Sequence, residues 1–340
     1  MTLFHCLLFK RFISNTAIVL LFSCIALLQI NVRAEELSVS SEEPQVIEPI
    51  LPKQGVLSLL DKSNEKISSG LTSFSNRVDN YFSNEKDYYA ATGSFIRITA
   101  DMVWNEEDND VGFQGDVRLK LNLPRTKKKL KFILETDSEQ DRSDVDQVLK
   151  DTPLDAADNE SYYAGLQFVS GEKTQWRFRR TLGVKVRAPP DYFVRLRANK
   201  KYQFDAWRLR LDEGLFWFDS TGVGVDSSIE FDRALADELL FRSRSYARWD
   251  DEDKNTNISQ VFSIFKSLGQ RELLAYQAGV YAETKPSTQI TDYLVAVRYR
   301  RNIHEDYLFV EFVPQVLFSL ERDFHPEHSI LFRFEWLFTG

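Results

Sequence analysis

The sequence predicts an all-β protein: a transmembrane antiparallel up-and-down β-barrel of about 14 strands, or about 12 as the alternative, with an N-terminal amphipathic helix. Three observations predict this fold. From Tyr88 onward, apolar and polar residues alternate with a period of two in successive stretches long enough to cross a bilayer. All six tryptophans fall near the ends of these stretches. An even strand number would place the N- and C-termini of the barrel chain on one side of the membrane, and the long acidic connections 137–160 and 250–257 on the other side.

Residues 1–34 predict a secretory signal peptide. Lys10 and Arg11 precede the apolar run from Ala17 to Ile30, and a small-residue cleavage site follows that run. Both cysteines lie inside this segment, so the mature chain is expected to have no internal disulfide and no thiolate metal site.

The next two segments differ in composition. Residues 35–54 are acidic and rich in Ser and Pro, which predicts a disordered linker. Residues 55–83 predict an amphipathic periplasmic helix, which would dock on a periplasmic partner or plug the barrel. Its apolar face consists of Leu60, Ile67, Leu71, Phe74, Val78 and Tyr81.

Residues 88–340 are expected to form the barrel. In the stretch "FIRITADMVW", Ile96 and Ile98 share one face, whereas Arg97 and Asp101 share the other. A soluble β-sandwich would also show such alternation, but the strand lengths and the tryptophan positions favour a membrane barrel. Similar stretches follow at 111–122, 129–136, 161–169, 174–187, 191–200, 202–218, 222–234, 238–250, 256–268, 271–284, 289–302, 305–319 and 328–338.

The last stretch, "SILFRFEWLFTG", is expected to close the barrel. Its apolar residues occupy every second position and would face lipid, whereas Arg333 and Glu335 would face the lumen. Two other charges do not fit the alternation, because Arg180 and Glu213 would face lipid. Either a bulge near Gly183 or Gly214 turns them inward, or the expected register is locally wrong.

The inner face carries the candidate binding residues. Hairpin symmetry about a turn near Tyr202 places Arg195 opposite Arg210 and Arg197 opposite Arg208. About a turn near Ser220, Arg208 and Arg210 oppose Asp232 and Glu230, and about a turn near Asp237 the same two acids oppose Arg242 and Arg244. Arg179, Arg195 and Arg197 lack an evident acidic neighbour. The predicted anion-binding residues of the lumen are Arg179, Arg195, Arg197, Arg208, Arg210, Arg242 and Arg244.

Several classes of function are disfavoured. The formal net charge of −8 argues against nucleic acid as a partner. No Gly-rich phosphate loop or EF-hand spacing occurs, and the two histidines of "HPEH" (325–328) lack a further strong ligand, so we expect no cofactor and no metal. The sequence also lacks the His and Ser pattern of outer-membrane lipases and the Asp-His pair of omptin proteases, so we expect no enzyme.

Several stretches resemble an uncharacterised family of proteobacterial outer-membrane β-barrel proteins: "FILETD" (132–137), "PPDYFVRLR" (189–197), "LFWFDSTGVG" (215–224), "LAYQAGV" (274–280) and "VRYRRNIHEDYLFVEFVPQV" (297–316). The resemblance implies a secreted barrel in the outer membrane of a Gram-negative bacterium, and it supplies no catalytic residue.

The expected partners of such a barrel are outer-membrane lipid, lipopolysaccharide and the barrel assembly machinery, and the barrel itself is expected to be a monomer. Two functions remain open: a pore or transport barrel for small anionic or polar solutes, and a closed structural or interaction barrel. A lipase or protease is the least favoured alternative.

Overall fold

The computed structural model describes residues 74, 75, 77, 78, 94–106, 110–123, 130–136, 162–170, 176–204, 206–305 and 307–339. The predicted signal peptide (1–34) and linker (35–54) lie outside these residues. Of the predicted helix 55–83, only four residues are described, and all four are helical: Phe74, Ser75, Arg77 and Val78. We call these four the inner helix residues.

Fourteen strands form in the described part of the chain, as the alternation predicts. A short 3-10 turn, Leu320–Arg322, separates the last two strands. The strands are β1 (Phe95–Asn105), β2 (Asp110–Asn122), β3 (Leu130–Thr136), β4 (Tyr162–Ser170), β5 (Trp176–Val186), β6 (Asp191–Phe204), β7 (Trp207–Phe218), β8 (Gly222–Ala236), β9 (Leu239–Asp250), β10 (Thr256–Gly269), β11 (Glu272–Glu283), β12 (Gln289–His304), β13 (Leu308–Ser319) and β14 (Pro326–Thr339).

Each strand pairs antiparallel with its neighbours in sequence, and β14 pairs with β1 to close the barrel. The closing register runs from Phe95 opposite Thr339 to Asn105 opposite Ser329. Because the strand number is even, the start of β1 and the end of β14 share one end of the barrel, which we call the terminal end. The end of β3 and the start of β4 lie at the opposite end, which we call the loop end.

Alternation assigns the two faces of every strand. In β1, Arg97, Thr99 and Asp101 are buried inside the barrel, whereas Ile96 and Ile98 are exposed on its outside. Successive side chains of a strand point to opposite faces, so most charged residues of the strands face the lumen and most apolar residues face outward. The outside is therefore apolar and the lumen is charged.

The six tryptophans form two belts on the outside of the barrel. Three lie at or near strand ends on the loop side, and three at or near strand ends on the terminal side. Tryptophan is enriched at both interfaces of a membrane because its ring is apolar and its N–H is polar. The belts are Trp104, Trp217 and Trp249 at the loop end, and Trp176, Trp207 and Trp336 at the terminal end.

The turn between β6 and β7 corrects the sequence prediction. The turn lies between Phe204, where β6 ends, and Trp207, where β7 begins, so Tyr202 belongs to a strand. Tyr202 stacks on Phe204 with ring centroids 5.9 Å apart, and Lys200 lies over the Tyr202 ring at 4.3 Å. These outward residues extend β6 into the terminal aromatic belt and move the turn beyond it.

Arg180 and Glu213 also depart from one expectation. Neither a bulge nor a register change turns them inward, because the pairing of β5 and β7 with their neighbours is continuous through both positions. Both side chains are exposed on the outer face.

The inner helix residues contact the lumen wall close to the terminal end. Phe74 and Val78 are buried against Leu240, Phe265 and Leu273, which point inward from three consecutive strands. Residues four apart share one side of a helix, so the apolar face predicted from the sequence is the face that packs here.

No described helix has the length and apolar character to cross a membrane. A closed antiparallel barrel satisfies every backbone group between strands, and its apolar outside matches the bilayer interior. With its two tryptophan belts, the chain has the architecture of a β-barrel of the Gram-negative outer membrane.

Candidate functional site: the charged lumen

A network of ion pairs covers the lumen wall from β7 to β9. Asp232 on β8 lies between two arginines of the neighbouring strands. Arg208 Nη2 donates to Asp232 Oδ2 at 2.7 Å, and Arg242 Nε donates to Oδ1 at 2.7 Å. With its carboxylate shared in this way, Asp232 is only 1% exposed. The pairing of Arg208 and Arg242 with Asp232 agrees with the sequence-based register.

Glu230, two residues earlier on β8, repeats the arrangement. Its Oε1 lies 3.1 Å from Arg210 Nη2 and 3.3 Å from Arg242 Nε. Arg244, directly opposite Glu230, donates from Nε to Ser228 Oγ at 3.4 Å. Asp232 and Glu230 therefore each serve more than one arginine.

Arg179 and Arg197 form a second cluster, and here the sequence prediction is wrong. Both were expected to lack an acidic neighbour, but Arg197 Nη1 lies 3.1 Å from Asp212 Oδ1 and its Nη2 lies 2.9 Å from Asp226 Oδ1. Arg179 Nη2 lies 3.7 Å from Asp212 Oδ2. The misplaced β6–β7 turn caused the error.

Because Phe204 pairs with Trp207 at the end of this hairpin, Arg197 pairs with Gly214 rather than with Arg208. Asp226 on β8 pairs with Gly214 from the other side of β7. Arg197 and Asp226 therefore lie on the two strands that flank β7, with the glycine between them. A Cβ on Gly214 would overlap the Asp226 carboxylate. The missing side chain therefore provides the space in which Asp226 meets Arg197.

Arg195 occupies a different environment, an aromatic cluster toward the loop end. Its guanidinium carbon lies 4.3 Å from the Phe193 ring centroid, 5.0 Å from that of Phe218 and 5.2 Å from that of Tyr163. All three rings are buried. This register again differs from the expectation, because Arg195 pairs with Phe216 and not with Arg210.

A third ion-pair network lies on the opposite wall, where the barrel closes. Glu311 accepts from Arg298 Nε at 2.7 Å and from Arg300 Nη1 at 3.2 Å. Arg300 Nη2 also donates to Glu335 Oε1 at 2.7 Å. Arg333 and Glu335 lie in the lumen, as the alternation in the last strand predicts.

Arg333 connects this network to the first strand. It lies directly opposite Asp101 across the β1–β14 seam and donates to both carboxylate oxygens, at 2.8 and 2.6 Å. A two-pronged contact of this kind matches the planar fork of a guanidinium to a carboxylate. The charged pair thus joins the first and last strands from inside.

The inner helix residues add a polar contact to the β7–β9 network. Arg208 donates to the Ser75 hydroxyl, which in turn donates to Asp232. Arg77 donates to the Gly269 carbonyl at the end of β10. The contact of Ser75 is not predicted from the sequence, because Ser75 lies outside the apolar face of the predicted helix.

All seven arginines predicted as binding residues lie on the inner face of β5 to β9. Six belong to the ion-pair clusters or border them, and Arg195 lies in the aromatic cluster. Their role in binding stays a prediction. Within the described ranges, no group of three or more His, Cys, Asp or Glu side chains is placed to hold a metal ion.

No protein-family model matches the chain. No curated protein matches it at significant similarity.

Three solved structures of similar fold are distant from this chain in sequence. A structure described as a bacterial polysaccharide outer membrane secretin has 12% identity and a TM-score of 0.43 over 73% of this chain and 99% of its own. A loop-deletion mutant of OmpT from Vibrio cholerae has 7% identity and a TM-score of 0.47 over 73% and 99%. OprB of Pseudomonas putida has 8% identity and a TM-score of 0.43 over 76% and 98%. These values are too low to support an argument about function.

Proposed function

We propose that this chain is a pore or transport barrel that admits small anionic or polar solutes through its arginine-rich lumen. One observation carries the proposal: on the inner face of β5 to β9, basic side chains outnumber acidic ones. The basic residues are Arg177, Arg179, Lys185, Arg195, Arg197, Lys201, Arg208, Arg210, Arg242, Arg244 and Arg248. The acidic residues are Asp191, Asp212, Asp226, Glu230, Asp232 and Asp250.

The pairing in this wall leaves it positive. Asp232 and Asp212 are each shared by more than one arginine, so the ion pairs do not cancel the full basic charge. Charged side chains that line a narrow space of low dielectric attract ions of opposite sign and set the selectivity of a pore. A wall of this composition favours anions.

Conductance of the purified full chain in planar lipid bilayers under a KCl gradient tests the proposal. We expect a reversal potential with the sign of the chloride equilibrium potential. Replacing Arg179 by Gln should shift it toward zero, because one lumen charge is lost. Lys266→Gln is the matched control, since it removes one positive charge from the outer face. No conductance, or selectivity for potassium, would overturn the proposal.

A second candidate is a closed barrel, favoured by the position of the inner helix residues. Phe74 and Val78 are 7% and 0% exposed against the lumen wall near the terminal end. In this candidate the segment obstructs the lumen and the barrel has a structural or partner-binding role.

Replacing Phe74 and Val78 together by Asp distinguishes the two candidates. Two carboxylates against Leu240, Phe265 and Leu273 would disfavour packing at this position. A closed barrel should gain conductance in this variant, whereas an open pore should conduct equally with and without the change. A pull-down with and without residues 55–83 tests the predicted periplasmic partner, and identical partner sets would exclude it.

The remaining expectations about function rest on the sequence. Membership of a proteobacterial family, contact with lipopolysaccharide and the assembly machinery, and the lack of an enzyme activity all stay predictions.

A further inference from the structure

Two charged side chains on the outer face lie far from the membrane interfaces. Arg180 and Glu213 are exposed near the middle of β5 and β7. Two other outward charges lie at the terminal aromatic belt: Lys200 Nζ lies 5.3 Å from the Trp176 ring centroid, and the Arg233 guanidinium carbon lies 5.0 Å from that of Trp207. A charge at the belt reaches water, whereas one at mid-height faces the hydrocarbon, so ionisable residues there usually have a function.

Neutral polar groups on the outer face of β9 and β10 satisfy one another, unlike these two charges. Ser245 donates to Gln260 Oε1 at 2.5 Å, and Gln260 Nε2 donates to Ser243 Oγ at 3.0 Å. Such a closed set exposes few unsatisfied groups to lipid and needs no partner outside the barrel.

Neither charge is neutralised by its own neighbours in the described part of the chain. The Arg180 guanidinium contacts an aromatic ring, with its carbon 6.0 Å from the Phe168 centroid, and forms no ion pair there. Glu213 accepts one hydrogen bond from Ser227 Oγ at 2.9 Å and likewise forms no ion pair there. One cation and one anion thus remain on the same outer face.

The topology relates the two charges to each other. Strand β6 lies between β5 and β7, and its outward residue beside Glu213 is the small Ala198. A two-fold axis along the membrane normal at β6 would place β5 of one copy opposite β7 of another. This axis would bring Arg180 of each copy toward Glu213 of the other. The same pair would then occur twice across the interface, as an isologous interface requires. Small residues at the axis let two backbones approach closely.

We propose that two copies of this chain associate in the membrane through the outer faces of β5, β6 and β7, with Arg180 of each copy paired with Glu213 of the other. The pairing neutralises both outward charges at once, which the described residues of a single copy do not do. This proposal departs from the monomer expected from the sequence, and it is independent of what the lumen admits.

Charge reversal tests the pairing. The full chain is purified in lipid nanodiscs, and its mass is measured by native mass spectrometry. We expect two copies for the unmodified chain and at least a tenfold lower dimer fraction for Arg180→Glu or Glu213→Arg alone. The combined swap of both residues should restore the dimer fraction to within twofold. A monomeric unmodified chain, or reversals that leave the dimer intact, would overturn the proposal.

Cysteine cross-linking tests the geometry without changing either charge. With Cys6 and Cys24 replaced by Ser, Ala198→Cys should form an intermolecular disulfide under mild oxidation. Ala100→Cys, the matched control on the outer face of β1, should not. This experiment also decides the matter if a charge-reversed variant fails to fold. Equal cross-linking at both positions, or none at position 198, would refute the two-fold arrangement.

Discussion

Replacing Glu311 by Gln removes the central charge of the network at the barrel closure. Glu311 is 2% exposed. Its Oε1 lies 2.6 Å from Arg298 Nη2, and its Oε2 lies 3.2 Å from Arg300 Nη1. Removing one partner of a buried ion pair typically costs about 3–5 kcal/mol, because the other partner stays buried with its charge uncompensated. Arg300 keeps its 2.7 Å contact with Glu335, so we expect the lower end, about 3 kcal/mol.

Equilibrium urea unfolding in phospholipid vesicles, followed by tryptophan fluorescence, measures this loss. A change of about 3 kcal/mol corresponds to roughly a hundredfold larger unfolding constant. The matched control is Glu272→Gln, whose pair with Arg301 is 3.4 Å long and largely exposed. An exposed pair contributes about 0–1 kcal/mol. If the two variants lose equal stability, the reasoning about buried charge in this lumen is wrong.

Two further substitutions, each with a control, test the packing of the lumen and the contact of the outer face with the membrane interior. Gly214→Ala should lower the urea midpoint by an amount equivalent to about 1–3 kcal/mol, because its Cβ would displace the Asp226 carboxylate. Gly269→Ala, where a Cβ meets no atom within 4 Å, is the control, and equal losses would contradict the explanation. Ile264→Arg, on the outer face of β10, should cost about 2–4 kcal/mol in vesicles, whereas Ile303→Arg near the terminal end should cost about 0–1. A smaller loss for Ile264→Arg would argue against lipid at that position.

The lumen site shows how far sequence reasoning extends. The pairing of Arg208 with Asp232 and of Asp232 with Arg242 follows from short hairpins whose turns are evident in the sequence. The partner of Arg197 does not follow, since it depends on a turn whose position is set by the aromatic belt. The contact of Arg197 with Asp226 also requires the missing side chain of Gly214 between them.

The sequence by itself determined which residues face lipid and which face the lumen. Alternation with a period of two is a local property of each strand, so it predicts the faces, the strand number and the tryptophan belts without any knowledge of pairing.

Only the tertiary structure decided which charges meet. Register is a relation between two strands. When a turn shifts, every opposing pair along its hairpin changes. If the shift moves the register by an even number of residues, each side chain still faces the same side of the sheet. The contacts of Ser75 with Arg208 and Asp232 join residues far apart in the chain. No local pattern encodes such contacts, because they form only when the barrel closes around its interior.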